Sequence, residues 1–189
     1  MECMAMDTRR MESTAYGFSI VRDTPRVGNL SFERFYSSEF PKMVEIAHVR
    51  SGSRMAAEDL AQEAMIAAYR RWADVGSLDR PGAWVRRVVL NRAASAYHRR
   101  KAEARALLRL APVRGEPPAS LSTETHAFWS EVRKLPTRQG DALILHYLGE
   151  LSINEIAEVL DCAEGTVKVH LHRGRSALAQ RLAREENGT

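Results

Sequence analysis

The chain has 189 residues and a mass of 21.3 kDa, with 44% apolar and 28% charged residues and a formal net charge of +4. Apolar content on that scale, spread along the chain, excludes wholesale disorder, and no apolar run approaches the ~20 residues needed to cross a bilayer. The two cysteines, Cys3 and Cys162, make neither a disulfide framework nor a zinc ligand set, and no apolar segment follows the first ten residues as in a secretory signal, so a cytoplasmic protein without membrane insertion or redox chemistry is expected.

Residues 1–30 carry scattered Gly, Pro, Ser and Thr without a sustained period and read as a flexible N-terminal tail. Beyond them helical periodicity recurs and no segment alternates apolar and polar residues between turn signals, so the fold class is all-α. A helix is predicted over 31–50, opening with the core candidates Phe32, Phe35, Tyr36 and Phe40, and Pro41 is expected to start a new turn or kink it. After the Ser51-Gly52-Ser53 turn, residues 56–72 are rich in helix formers and end before Gly76. A third helix is predicted over 81–105, with Pro81 at a first-turn position that needs no N–H.

Residues 110–125 hold Pro112, Gly115, Pro117, Pro118 and a Ser/Thr cluster and read as a linker. Two short helices follow over 126–135 and 138–147, stopped by Pro136 and Gly149. Ser152-Ile153-Asn154-Glu155 is a capping box that starts a helix running to Leu160. Asp161-Cys162-Ala163 breaks the chain, and a last helix over 164–184 carries the apolar stripe Val167, Leu171, Leu178 and Leu182, with Gly174 placed to let another helix approach. The expected organisation is two small helical domains, 31–108 and 126–184, joined by an extended linker over 109–125 and followed by a tail at 185–189.

The charge distribution says more than its sum. Residues 76–115 hold ten Lys/Arg against two acids, a composition suited to a polyanion, while acids exceed bases in the segments on either side. On the basic helix Arg87, Asn91, Ser95 and His98 recur at i, i+4, i+8 and i+11, opposite Trp84, Val85, Val88 and Val89. An Asn amide among arginines can pair bidentately with an adenine edge, and Trp84 can serve as a core anchor or a stacking platform, the former favoured. The glycines and proline of residues 75–82 leave room for a base turned out of the stack. On the preceding helix Glu58 accompanies the stripe Asp59, Gln62, Glu63, Ile66 and Arg70, whose apolar centre suits a protein partner's helix, while Leu60, Ala64, Met65, Ala68, Tyr69 and Trp72 form the other side.

The last two helices have helix-turn-helix spacing, with the second set to enter a DNA major groove. With Val167 and Leu171 inward, the outward positions are Lys168, Val169, His172 and Arg173, able to contact phosphate, guanine and a thymine methyl. No His, Cys or Gly-rich loop accompanies the paired carboxylates, and His170 and His172 point to different sides, so neither an enzyme nor a metal site or other cofactor is expected.

These blocks resemble the sigma-70 family of bacterial transcription initiation factors, in its small extracytoplasmic-function (ECF) subgroup. The resemblance covers residues 32–182. Ala57-Glu58-Asp59-Leu60-Ala61-Gln62-Glu63 with Ala68-Tyr69-Arg70 is similar to region 2.2, implying contact with the β′ clamp helices of core RNA polymerase. Ala83-Trp84-Val85-Arg86-Arg87-Val88-Val89-Leu90-Asn91-Arg92 and His98-Arg99-Arg100 are similar to regions 2.3 and 2.4, implying that the minus-10 element is melted and read there. Leu135-Pro136-Thr137-Arg138-Gln139, the capping-box segment and Gly165-Thr166-Val167-Lys168 are similar to region 4, implying minus-35 recognition that adds Thr166 to the outward set and engages the β flap. The resemblance further implies a stress-response regulator held by a separate anti-sigma factor. Ala163 stands where the family often has a Ser cap, Gly140 where a bulkier residue is common, and Val169-His170 where Ser-Arg is common. A one-component repressor or activator would share the helix-turn-helix but would not need the acidic helix or the Asn-bearing basic one, and a response regulator would need strands.

Overall fold

The computed structural model describes residues 31–108 and 123–186. Among them are eight helices and no strand: α1 (Phe32–Ser51), α2 (Arg54–Arg70), α3 (Trp72–Val75), α4 (Pro81–Leu108), α5 (Thr123–Arg133), α6 (Thr137–Tyr147), α7 (Ile153–Leu160) and α8 (Glu164–Glu186). The all-α expectation holds. The tail expected over 1–30 and most of the linker expected over 109–125 lie outside the described residues.

Ser31 caps α1, its hydroxyl accepting from the Arg34 N–H at 3.4 Å, and Gly52 ends it at φ 70° with its N–H donating to His48 O at 2.8 Å. Pro41 lies inside α1, which is one element across it. The proline ring is exposed, while Phe35 before it and Met43, Ile46 and Ala47 after it are buried. Burial on both sides outweighs the ~3 kcal/mol that an interior proline costs a helix. Ser53 caps α2 two residues earlier than expected, and Trp72 belongs to the separate turn α3. Gly76 is required there, since a Cβ would lie 2.9 Å from the Trp72 ring.

Alanines set the geometry of the first half. Ala57, Ala61, Ala64 and Ala68 are all fully buried along one side of α2, so α1 and α4 approach it closely and close over Met65, Val85, Val89 and Leu90. In the second half Trp129, Val132, the run Leu143-Ile144-Leu145, Ile156, Val159, Val167, Leu171 and Leu178 fill the space between α5, α6, α7 and α8. At Gly174 α8 crosses α6 so closely that a Cβ would sit 3.1 Å from Leu143 Cδ1.

The two halves are packed on one another, α1 against α5 and α6, and α4 against α7. Arg50 Nε of α1 donates to Asp141 Oδ1 of α6 at 2.6 Å, with both side chains almost wholly buried. Arg133 of α5 donates to Val49 O at 2.9 Å and lies where a Cβ on Gly52 would come within 2.9 Å of it.

Candidate nucleic-acid interface

On α2 the residues Glu58, Asp59, Gln62, Glu63, Ile66 and Arg70 are all exposed on the side opposite the buried alanines. Ile66 is 42% exposed at the middle of this acidic stripe, and Glu63 pairs with Arg92 of α4 at 2.7 Å. Tyr69, expected on the core side, is 40% exposed, with its ring centroid 4.9 Å from that of Phe32. The α2 stripe therefore offers carboxylates around an apolar patch, a chemistry for a basic-rimmed helix of a partner.

On α4 the predicted set divides. Asn91, Ser95, His98 and Arg99 are exposed along one face, with Ser95 Oγ donating back to Asn91 O at 2.9 Å and leaving the Asn91 amide outward on the helix. Trp84 is half-buried against the core beneath the Arg71 guanidinium, 6.0 Å from the ring centroid, the core-anchor reading with one edge exposed. Arg87 instead donates to the carbonyls at the C-terminal end of α7, Nε to Val159 O at 2.8 Å and Nη2 to Glu158 O at 2.5 Å, and lies 3.5 Å from Asp161 Oδ2. Arg100 folds back to Ser51 O, and burial holds its guanidinium below the usual range. In the 75–82 segment Val75 is buried and 77–80 are exposed, but Arg80 reaches Glu158 at 3.1 Å and Asn154 at 3.3 Å.

The helix-turn-helix forms as the spacing predicts. Ser152 and Glu155 make both halves of the capping box, and those bonds from the Ser152 hydroxyl and N–H hold the Glu155 carboxyl below its ordinary range. Asp161 turns the chain at φ 55°, and Arg138 donates to Leu160 O at 2.8 Å, satisfying the end of α7. With no hydroxyl at Ala163, the start of α8 is held instead by Asn154, whose amide donates to Glu164 Oε1 at 3.3 Å. Val167 and Leu171 are buried, which turns Lys168, Val169, His172 and Arg173 outward; Thr166 is half-buried at the first turn. His170 is half-buried and held below the usual histidine range by burial and then by Arg138 and Arg173.

Sequence reasoning missed the cations and acid that join the halves: Arg50, Asp141 and Arg133. A signal existed, because Arg50 follows Met43, Ile46 and Ala47 at i+7, i+4 and i+3 and so lies on the core stripe of α1. Burial pushes the Asp141 carboxyl up to about 6 despite the Arg50 guanidinium beside it, and burial lowers Arg133. Among the described residues no cluster of three or more His, Cys, Asp or Glu is placed to hold a metal ion, and no helix is long and apolar enough to cross a membrane.

Two family models match this chain: Sigma-70 region 2 over residues 35–103 and Sigma-70, region 4 over residues 125–178. Curated relatives include the RNA polymerase sigma-E factor of Streptomyces antibioticus, 31% identical over 67% of this chain and 70% of its own length. The ECF RNA polymerase sigma factor EcfG of Rhodopseudomonas palustris is 30% identical over 75% of this chain and 80% of its own, and the ECF RNA polymerase sigma factor SigW of Bacillus subtilis 29% identical over 75% and 83%. Among solved structures, the sigma factor RpoE in complex with the anti-sigma factor NepR from Bartonella quintana is similar with TM-score 0.58, at 24% identity over 80% of this chain and 96% of that one. CnrH in complex with the cytosolic domain of CnrY is similar with TM-score 0.57 at 22% identity over 80% and 87%, and both likenesses concern the fold.

Proposed function

The chain belongs to the sigma-70 family, in its ECF subgroup, and is a non-enzymatic RNA polymerase sigma factor that directs transcription initiation; on that footing we propose how its surfaces divide the work. Region 2 occupies 31–108 and region 4 occupies 126–184. The α2 stripe of Glu58, Asp59, Gln62, Glu63, Ile66 and Arg70 docks on the β′ clamp helices of core polymerase, and region 4 engages the β flap. Trp84, Arg87, Asn91, Ser95, His98, Arg99 and Arg100 serve the minus-10 element, with residues 75–82 receiving a flipped base. Thr166, Lys168, Val169, His172 and Arg173 read the minus-35 duplex. The protein acts in the cytoplasm and is restrained by a separate anti-sigma factor.

The observation that carries this reading is the separation of chemistries between adjacent helices: an exposed acidic stripe with an apolar centre on α2, and an exposed Asn-bearing polar face on α4. A duplex-binding repressor needs neither. The test mixes purified chain with bacterial core polymerase and scores co-elution and promoter-dependent transcripts. Asn91→Ala is expected to retain co-elution and lose initiation, whereas replacing Asp59 and Glu63 by Lys abolishes co-elution and leaves the fold intact by circular dichroism. Loss of core binding in Asn91→Ala overturns the assignment of α4, and tight duplex binding without polymerase binding by the unaltered chain favours a repressor.

A further inference from the structure

We propose that Tyr147 and Arg175 form a phosphate clamp beside the reading helix, in which Tyr147 is a positioning residue that holds the Arg175 guanidinium ready for the DNA backbone. This role rests on the proposed assignment of α8 to the minus-35 duplex, which includes neither residue. The geometry begins at Gly174. With no side chain there, α8 crosses α6 so closely that Leu143 Cδ1 lies 3.1 Å from where a Cβ would be, and Tyr147 is one helical turn beyond Leu143 on α6. Arg175, the next residue after Gly174, meets Tyr147 there. Its Nε donates to the Tyr147 hydroxyl at 2.9 Å, and its guanidinium carbon lies 5.5 Å from the ring centroid. The His146 ring stands edge-on to Tyr147 with centroids 4.9 Å apart, and His146 Nδ1 lies 3.4 Å from Leu151 O, which fixes the tyrosine from its own helix. Tyr147 is 51% exposed, too open for its ring to serve the core.

Two features turn this contact toward DNA. On α8, Arg175 follows Lys168 by seven residues and His172 by three, so the three exposed cationic or polar side chains fall on one stripe, beside the buried line of Val167, Leu171, Gly174 and Leu178. A helix whose first turns lie in the major groove passes the phosphates as it leaves, and the turn that carries Arg175 is where a backbone contact belongs. The charge is also available. Arg175 gives only Nε to a neutral hydroxyl, and among the described residues neither of its Nη groups has a hydrogen-bond partner and no carboxylate pairs with it. Those Nη groups remain to bond phosphate oxygens with charge assistance. An arginine that is free in solution loses its rotamer freedom on binding, and the ring and hydroxyl of Tyr147 remove part of that loss beforehand. Arg175 thus supplies a sequence-independent contact, in contrast to the base-directed positions of α8, and Tyr147 extends the duplex-binding unit to the end of α6.

The test measures binding of the full chain, over a range of salt concentrations, to a labelled duplex selected from a randomised pool by the unaltered chain and to a scrambled duplex of the same length. Arg175→Ala is expected to weaken both by the same factor, roughly fivefold or more, and to reduce the slope of log affinity against log salt by about 1. Tyr147→Phe keeps the ring and every charge and removes only the hydroxyl. It is expected to weaken binding about two- to fivefold with the slope unchanged, and to have no further effect once Arg175 is Ala. Circular-dichroism melts of both variants are expected to match the unaltered chain, because both side chains lie at the surface. An unchanged slope in Arg175→Ala overturns the phosphate contact. A Tyr147→Phe loss of equal size with and without Arg175, or no loss at all, overturns the positioning role. Lys168→Ala separates these outcomes from the reading beneath them: a loss of duplex binding there with none in Arg175→Ala overturns the clamp alone, whereas duplex binding unchanged in both overturns the assignment of α8 to DNA.

Discussion

Asp141→Asn isolates the energetics of the one buried carboxylate of α6. The carboxyl is pushed up to about 6 from an ordinary value near 4, burial raising it and Arg50, with Arg138 behind, offsetting only part of that. Two units correspond to about 3 kcal/mol at 1.36 kcal/mol per unit. For an acid raised in this way the folded chain holds a proton that the unfolded chain has released between about pH 4 and pH 6. The stability contributed by the site is therefore fully present below pH 4 and lost as pH rises through 6. Asparagine does not titrate, so the stability of Asp141→Asn minus that of the unaltered chain is expected to grow by about 3 kcal/mol between pH 4 and pH 7. Urea melts of both proteins at half-unit intervals measure it, and the titrations of His48, His170 and Glu155, shared by both, cancel in the difference. A difference that stays flat or narrows with rising pH would mean that Arg50 holds the carboxylate at or below its ordinary range, and would refute burial as the dominant cause.

Glu150 stands exposed at φ 51°, a left-handed conformation that glycine adopts without strain, so Glu150→Gly is expected to raise stability by roughly 0.5 to 1 kcal/mol in the same melts. Gly174→Val drives a branched side chain at Leu143, already 3.1 Å from where a Cβ would sit, and is expected to cost about 1 to 3 kcal/mol with loss of duplex binding. Lys168→Ala removes a cation from α8, the proposed reading helix; with a phosphate contact there, duplex affinity should fall by a similar factor on all sequences, and the slope of log affinity against log salt should shrink by about 1. A loss confined to one promoter sequence would instead assign Lys168 to a base.

Local signals in the sequence were sufficient where the physics is local. The capping box at Ser152 and Glu155, Pro81 at the first turn of α4, Pro136 before α6 and the small residue at Gly174 all sit where their chemistry placed them, because each depends on a few neighbouring backbone groups. At Pro41 the apolar residues on both sides, Phe35 and Met43, keep α1 a single element through tertiary burial. Arg50 and Asp141 lie 91 residues apart, and nothing local tells a charged residue on an apolar stripe that its partner lies on another helix. Arg87 was legible as a residue that seeks negative potential, but not as one already engaged by α7.

That last point bears on what a basic segment means. The excess of Lys and Arg over residues 76–115 faces acid-rich segments on both sides in sequence, and the fold brings one of them, through Glu158 and Asp161 of the α7 end, against Arg80 and Arg87. The charge pattern proposed to meet DNA is therefore also complementary to the chain itself. The balance between them follows from the acceptors: Arg87 is bonded to two neutral carbonyls and lies 3.5 Å from a half-exposed carboxylate, whereas a phosphate offers a bidentate, charge-assisted acceptor roughly twice as strong per bond.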